Sequence, residues 1–178
     1  MFDLLRQRRS IRMFKELPVE ADKIALLSEA LLRAPTSRDL QPCEFVFVDE
    51  PAILNRLVSA KGHGTSFFST APLAIVIAAD PRISDVWIED CSIAAIVAQL
   101  AAEELGLKSC WAQLRLRAHD DDLSASDFVR QLVGLPEGKE VPMVIAVGYP
   151  DETKTGHNEE RLKKEKIHFN SYKNKEEK

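Results

Sequence analysis

The stretch between Asp85 and Gly106 constrains the fold more than any other part of the chain. Ile93, Ala94, Ala95, Ile96, Val97, Ala98, Leu100, Ala101 and Ala102 leave almost no polar face. The pattern predicts a helix over about 86–105. Ser84 or Asp85 stands where an N-cap oxygen would accept a backbone N–H. Gly106-Leu107 reads as a glycine-terminated stop with a hydrophobic contact. A helix apolar nearly all round is buried all round. A chain of 178 residues suits one domain, and a domain of that size seldom encloses one helix completely. A partner subunit is therefore expected, with the alanines permitting close helix approach.

The remaining elements follow from periodicity and breakers. Residues 2–9 predict a short helix. Ile24, Leu27, Ala30 and Leu31 recur at helical spacing over about 19–33, and Ala34-Pro35 stops that helix, because the residue before proline avoids the helical region. Residues 44–48 are rich in aromatic and β-branched types and predict a strand. Pro51 opens a helix to about Ala60. Leu73–Ala79 is apolar on both faces, as a central strand must be. Residues 109–114 and 143–148 predict further strands, and 127–132 a short helix. After Pro150 the chain turns to Lys, Glu, Asn and Asp, with Ile167, Phe169 and Tyr172 as isolated anchors. Residues 1–150 are thus expected to form the core. Residues 151–178 are expected to form a charged extension that lies on another surface, with a mobile end.

Composition excludes several classes. A net charge of −4 argues against a broad nucleic-acid surface. The three cysteines, Cys43, Cys91 and Cys110, form no CxxC pair, so a disulfide framework is not expected and the reduced cytoplasm is the default. The four histidines lack metal-ligand spacing. The N-terminus carries charge where a signal peptide needs an apolar core. No run approaches the ~20 apolar residues of a membrane span.

Two segments carry the chemistry. Arg8-Arg9-Ser10-Ile11-Arg12 sets three guanidinium groups and a hydroxyl within five residues. Each guanidinium is a planar fork of donors suited to phosphate or carboxylate oxygens. Ala34-Pro35-Thr36-Ser37-Arg38-Asp39-Leu40-Gln41-Pro42 is the second. Taken singly, each has a plainer reading: solvated charge at a helix end, and a turn of ordinary turn formers. Trp111 is by default a core residue, Cys110 a small buried hydrophobe, and Arg161 a solvated charge.

Taken in order, these segments resemble the nitroreductase family of FMN-dependent oxidoreductases, from about Leu4 to Tyr172. RRSIR resembles that family's first flavin-binding motif, and PTSRDLQP its PSSxNxQP loop. The alanine-rich helix leading into GLKSCW resembles its dimer-interface helix and following strand. LPEGKEVPMVIAVGYP resembles the family's late PEG…GYP stretch, and ERLKKEKIHFNSY its basic tail.

The resemblance implies an α+β fold: a mixed, largely antiparallel sheet flanked by helices, in a homodimer whose C-terminal tail is exchanged over the partner. It implies FMN as cofactor, with NADH or NADPH as transient reductant. Arg8 and Ser10 would hold the phosphate end or pyrimidine edge of FMN, and Arg9 would be a further cofactor contact. Arg12 would lie near its N1 and C2 oxygen, where a fixed cation stabilises the reduced ring. Arg161 would reach the phosphate. Pro35, Thr36, Ser37, Asp39 and Gln41 would approach from the second subunit, and Cys110, Trp111 and Ala112 would pass one flavin edge. The implied reaction is a ping-pong transfer from NAD(P)H through FMN to a small acceptor such as a nitroaromatic or quinone. No side chain is expected to act as acid or base.

The chain departs from the family pattern in two places. Asp39 stands where Asn is usual, and a carboxylate accepts hydrogen bonds without donating them. That opposes charge on the reduced ring unless Arg38 or Arg12 neutralises it. Cys43 stands where the loop often ends in Trp. The chain is also short for the family and lacks inserted covering helices. These departures keep two alternatives open. One is a non-catalytic flavin-binding protein. The other is a flavoenzyme of the same fold with different chemistry, such as dehalogenation or flavin fragmentation.

Overall fold

The computed structural model describes residues 1–172. The mobile end expected of the chain falls on 173–178 and lies outside the described residues. Nine regular elements follow one another: α1 (Phe2–Gln7), α2 (Ala21–Leu32), β1 (Cys43–Val48), α3 (Pro51–Leu57), β2 (Leu73–Ala79), α4 (Trp87–Glu104), β3 (Lys108–Gln113), α5 (Ala125–Leu132) and β4 (Glu140–Gly148). The sheet order is β1-β2-β4-β3, and each neighbouring pair is antiparallel. Among the described residues a parallel component enters only as a bridge between Ser10 and Ser109 on the outer edge of β3.

The sheet separates two apolar layers. Ala74, Val76, Ala78, Val144 and Ala146 face Leu54, Leu57, Phe67, Phe68, Phe128 and Val129, so α3 and α5 cover that side. Leu73, Ile75, Ile77, Ile145 and Val147 face Leu27 and Leu31 of α2 and Ala94, Ala98 and Ala102 of α4. Strand β2 is buried at every residue, as its two-faced apolar run requires.

The long helix is where one chain falls short of expectation. Cys91, Ala94, Ala98 and Ala102 are buried, but Ile93 is 38% and Ile96 41% exposed. Among the described residues the outer stripe of α4 stays partly exposed, so the burial of the helix is one-sided. The expected cap is also corrected. Val86 is the residue at the N-cap, and no side chain caps the helix. The Ser84 hydroxyl accepts from the N–H of Val86 at 3.3 Å and donates to Asp90 Oδ2 at 3.0 Å. Asp85 is turned outward to Arg38.

The C-terminal stop is as expected. Gly106 has φ +74°, its N–H donates to Glu103 O at 3.1 Å, and the N–H of Leu107 donates to Ala102 O at 2.8 Å. This paired pattern needs a left-handed residue that glycine supplies at no steric cost. Helix α1 ends earlier than expected because Arg8 leaves helical geometry, at φ −56° and ψ 126°. Helix α3 ends at Leu57, with turns replacing its last predicted residues.

Candidate active site

The arginine run is not a solvated helix end. After Arg8 the chain becomes extended and docks along the free edge of β3, where the N–H of Ile11 donates to Ser109 O at 3.1 Å. Ile11 is buried and anchors the segment. On its far side the run is held by the segment after β4. Lys15 N–H donates to Tyr149 O at 2.9 Å, Asp151 N–H to Met13 O at 2.8 Å, and Phe14 bridges Pro150. Gly156 closes this return against α1. A Cβ at that position would lie 1.7 Å from the carbonyl oxygen of Arg6.

The result is a cationic cradle. Lys154 Nζ donates to Ser10 O at 3.2 Å and to Glu152 Oε1 at 2.7 Å. The backbone N–H of Arg12 also donates to Glu152, and Arg9 donates to Thr155 O. Lys154 and that N–H together hold the Glu152 carboxyl below its usual range, the lysine hydrogen bond being the larger cause. Burial pushes the Cys110 thiol up, and the nearby Arg12, Ser10, Lys154 and Arg8 oppose that rise. The charges of Arg9, Arg161 and Arg8, together with desolvation, hold His157 below the usual histidine range, Arg9 contributing most. Arg8, Arg9, Arg12 and Lys154 therefore lie along one sheet edge, and His157 feels the charge of Arg8 and Arg9 as well as that of Arg161. Of the β3 residues singled out, Trp111 presents its ring outward at 46% exposure, while Cys110 and Ala112 are buried. The latter two offer a ligand only their backbone.

Lys154 escaped the sequence reading. It lies in a polar stretch that resembles any solvated extension, and only the return of the chain after Pro150 brings it to Ser10. Lys61, at the edge of the glycine-bearing 62–64 loop, carries no local signal either. It donates to the carbonyl of Gln113, at the end of β3, at 2.6 Å.

The second segment is built differently. Thr36 is extended, and Ser37–Asp39 forms a tight turn. Arg38, Asp39 and Gln41 have φ of 53°, 53° and 48°, a region that non-glycine residues enter at a cost. Side chains hold the turn in place. Thr36 Oγ1 accepts from Gln41 N–H at 3.0 Å, Asp39 Oδ1 accepts from the Gln41 side-chain amide at 3.0 Å, and Asp90 Oδ1 accepts from Ser37 N–H at 2.8 Å. Asp90 is buried near the start of α4. Arg38 pairs with Asp85, so of the two cations that could neutralise Asp39 it is engaged elsewhere. Arg12 lies with the other segment beside β3.

The two segments stand apart in one chain. The loop leads into β1 and is tied to Asp90, whereas the arginine run flanks β3 at the opposite edge of the sheet. Asp90 and Glu103 mark the two ends of α4, ~20 Å apart at 1.5 Å per residue.

Fold and site together define a class: an α+β protein of two helical layers around an antiparallel sheet, with a cluster of cationic side chains along one sheet edge. The chain belongs to the nitroreductase family, whose sequence pattern matches residues 5–62 and 55–149. A protein of Archaeoglobus fulgidus, provisionally described as an NADH dehydrogenase/NAD(P)H nitroreductase, is 32% identical over 166 residues, covering 90% of this chain and 92% of that one. The structure of an FMN-dependent nitroreductase from Clostridium difficile R20291 superposes with a TM-score of 0.95 at 43% identity, over 97% of this chain and 100% of that chain. The NADPH:FMN oxidoreductase of Vibrio harveyi, solved with NAD+, shares the fold with a TM-score of 0.82 at 23% identity, over 97% and 78%. No helix among the described residues is long and apolar enough to cross a membrane.

Proposed function

We propose that the chain is an FMN-dependent NAD(P)H oxidoreductase that works as a homodimer. The observation that carries this reading is the cluster of Arg8, Arg9, Arg12 and Lys154 along the edge of β3. The donor set fits the cofactor. Forked guanidinium groups suit phosphate oxygens, and Glu152, the carboxylate beside them, is already engaged by Lys154 and the N–H of Arg12. Family membership and the FMN-dependent neighbour at 43% identity support the same choice.

In this reading Arg8, Arg9 and Ser10 bind the phosphate end or pyrimidine edge of FMN, and Arg161 adds a second fork at the phosphate. Arg12 sets a positive charge where electron density rises on reduction, which favours the reduced state. Trp111 offers a ring face, and the backbone of Cys110 and Ala112 passes the flavin edge. Pro35, Thr36, Ser37, Asp39 and Gln41 serve the partner's flavin, consistent with the distance between the two segments in one chain. When bound, FMN would supply redox chemistry of the kind that carries hydride from NADH or NADPH to a small acceptor such as a nitroaromatic or quinone. The protein binds, orients and tunes. The end of the tail, past the 149–156 segment that clamps the arginine run of its own chain, crosses to the partner. Phe169 and Tyr172, 79% and 77% exposed in one chain, are its anchors there.

The test is the visible spectrum of the purified protein with added FMN, then under anaerobic NADH or NADPH, then with a nitroarene or quinone. Bound flavin bands that bleach with the nicotinamide and return with the acceptor are the expected result. A protein that retains no FMN would overturn the assignment.

A further inference from the structure

Cys43 and Cys91 are far apart in sequence, but the fold brings their sulfur atoms to 3.6 Å. Cys43 is the first residue of β1 and is half-buried. Cys91 sits in the first turns of α4 and is fully buried. Both face the same apolar layer, between the sheet and α4. Cys110 belongs to the layer on the opposite side of the sheet and bonds weakly to Trp111 O at 3.8 Å. One thiol pair is thus preassembled, and the third cysteine is kept from it by the sheet.

We propose that Cys43 and Cys91 are a redox-active dithiol that closes to a reversible disulfide under hydrogen peroxide and ties the 36–42 loop to α4. The sulfurs are at van der Waals contact, and reaching the bond length of about 2.05 Å requires a closure of about 1.5 Å shared by two side chains. The roles of the two sulfurs differ. Cys43 reaches the protein surface, and its hydrogen bond with Cys91 lowers its pKa, against burial and the charge of Asp90. The same hydrogen bond and burial push the Cys91 thiol up. Cys43 is therefore the attacking thiolate. It displaces hydroxide from hydrogen peroxide and becomes a sulfenic acid. The Cys91 sulfur then attacks that sulfur, forming the S–S bond as water leaves. Overall, two thiols and one hydrogen peroxide give one disulfide and two waters, and an added dithiol reverses the change by exchange.

The position gives the bond a consequence. Asp90, beside Cys91, already holds the loop through the N–H of Ser37 at 2.8 Å, and Cys43 is two residues beyond Gln41. The disulfide adds a covalent tie at the loop's other end. It holds the three left-handed residues, Arg38, Asp39 and Gln41, in place. Resting on the proposed flavin role of that loop, FMN should leave the oxidised protein more slowly than the reduced one.

The experiment counts thiols. The full chain is reduced, freed of reductant, treated with hydrogen peroxide, unfolded and alkylated. The expected count falls from three to one, peptide mapping joins the Cys43 and Cys91 peptides, and dithiothreitol restores three. Cys91→Ala should let Cys43 proceed to sulfinic acid, and Cys43→Ser should leave Cys91 alkylatable after peroxide. Three thiols remaining, sulfinic acid on Cys43 of the unsubstituted chain, or disulfides only between chains would overturn the proposal. A protein that loses two thiols yet binds no FMN would overturn the flavin reading and leave the disulfide standing.

Discussion

Asp39 is the residue at which the site departs most from the chemistry its surroundings favour. Its carboxylate accepts from the amide of Gln41, and Arg38, the nearest cation in sequence, is spent on Asp85. On the proposed assignment an uncompensated negative charge therefore faces the partner's flavin, opposite in effect to Arg12. An interaction on the order of 1 kcal/mol is reasonable for charges near a protein surface. For a two-electron couple that corresponds to ~20 mV. Asp39→Asn keeps the size and an oxygen for Gln41 and removes the charge. Its flavin midpoint potential should rise by about that amount, measured by anaerobic titration against a reference dye. A potential that stays put, or falls, would place Asp39 away from the ring.

At the scale of elements, the sequence disclosed most where pattern and burial agree. The run Leu73–Ala79 became β2 with the same boundaries, and the Ala-rich stretch became α4 within a residue at each end. The stop at Gly106 was legible because positive φ singles out glycine. The start of α4 was not, because Ser84 serves the buried Asp90 as donor and Val86 as acceptor, a tertiary use that no local rule anticipates. The arginine run was legible as a cluster of cations, while its support from Lys154 and Glu152 was hidden in a polar stretch. Gly156 shows how tightly that support is packed. A methyl group there would meet the Arg6 carbonyl at 1.7 Å, so either α1 or the 149–156 segment must move. Overpacking of this kind typically costs about 1–3 kcal/mol. Gly156→Ala should lower the urea midpoint accordingly and weaken FMN binding together with it, since the arginine run is clamped between those segments. Loss of stability with unchanged FMN affinity would separate the cradle from the flavin site.

The whole molecule poses a problem that one chain does not solve. The loop at the start of β1 and the arginine run beside β3 occupy opposite sheet edges, yet the proposed chemistry needs both around one flavin. A two-fold pairing of copies through α4 would bring the loop of one copy to the arginine run of the other, and isologous pairing would make two such sites. The outer stripe of α4 is suited to it. Ile93 and Ile96 are partly exposed and apolar, one turn apart on the same face, and flanked by the small side chains that allow helices to approach. Replacing both with lysine places unpaired ammonium groups in a desolvated contact, and each such burial costs several kcal/mol. The double variant Ile93→Lys/Ile96→Lys should run as a monomer by light scattering, keep its far-ultraviolet circular dichroism because the inner face of α4 is untouched, and bind FMN at least ~10-fold more weakly, a loss of about 1.4 kcal/mol. A variant that remains dimeric would move the interface off α4. A monomer that holds FMN as tightly as the parent would show that one chain completes the site, and the 36–42 loop would then need another role.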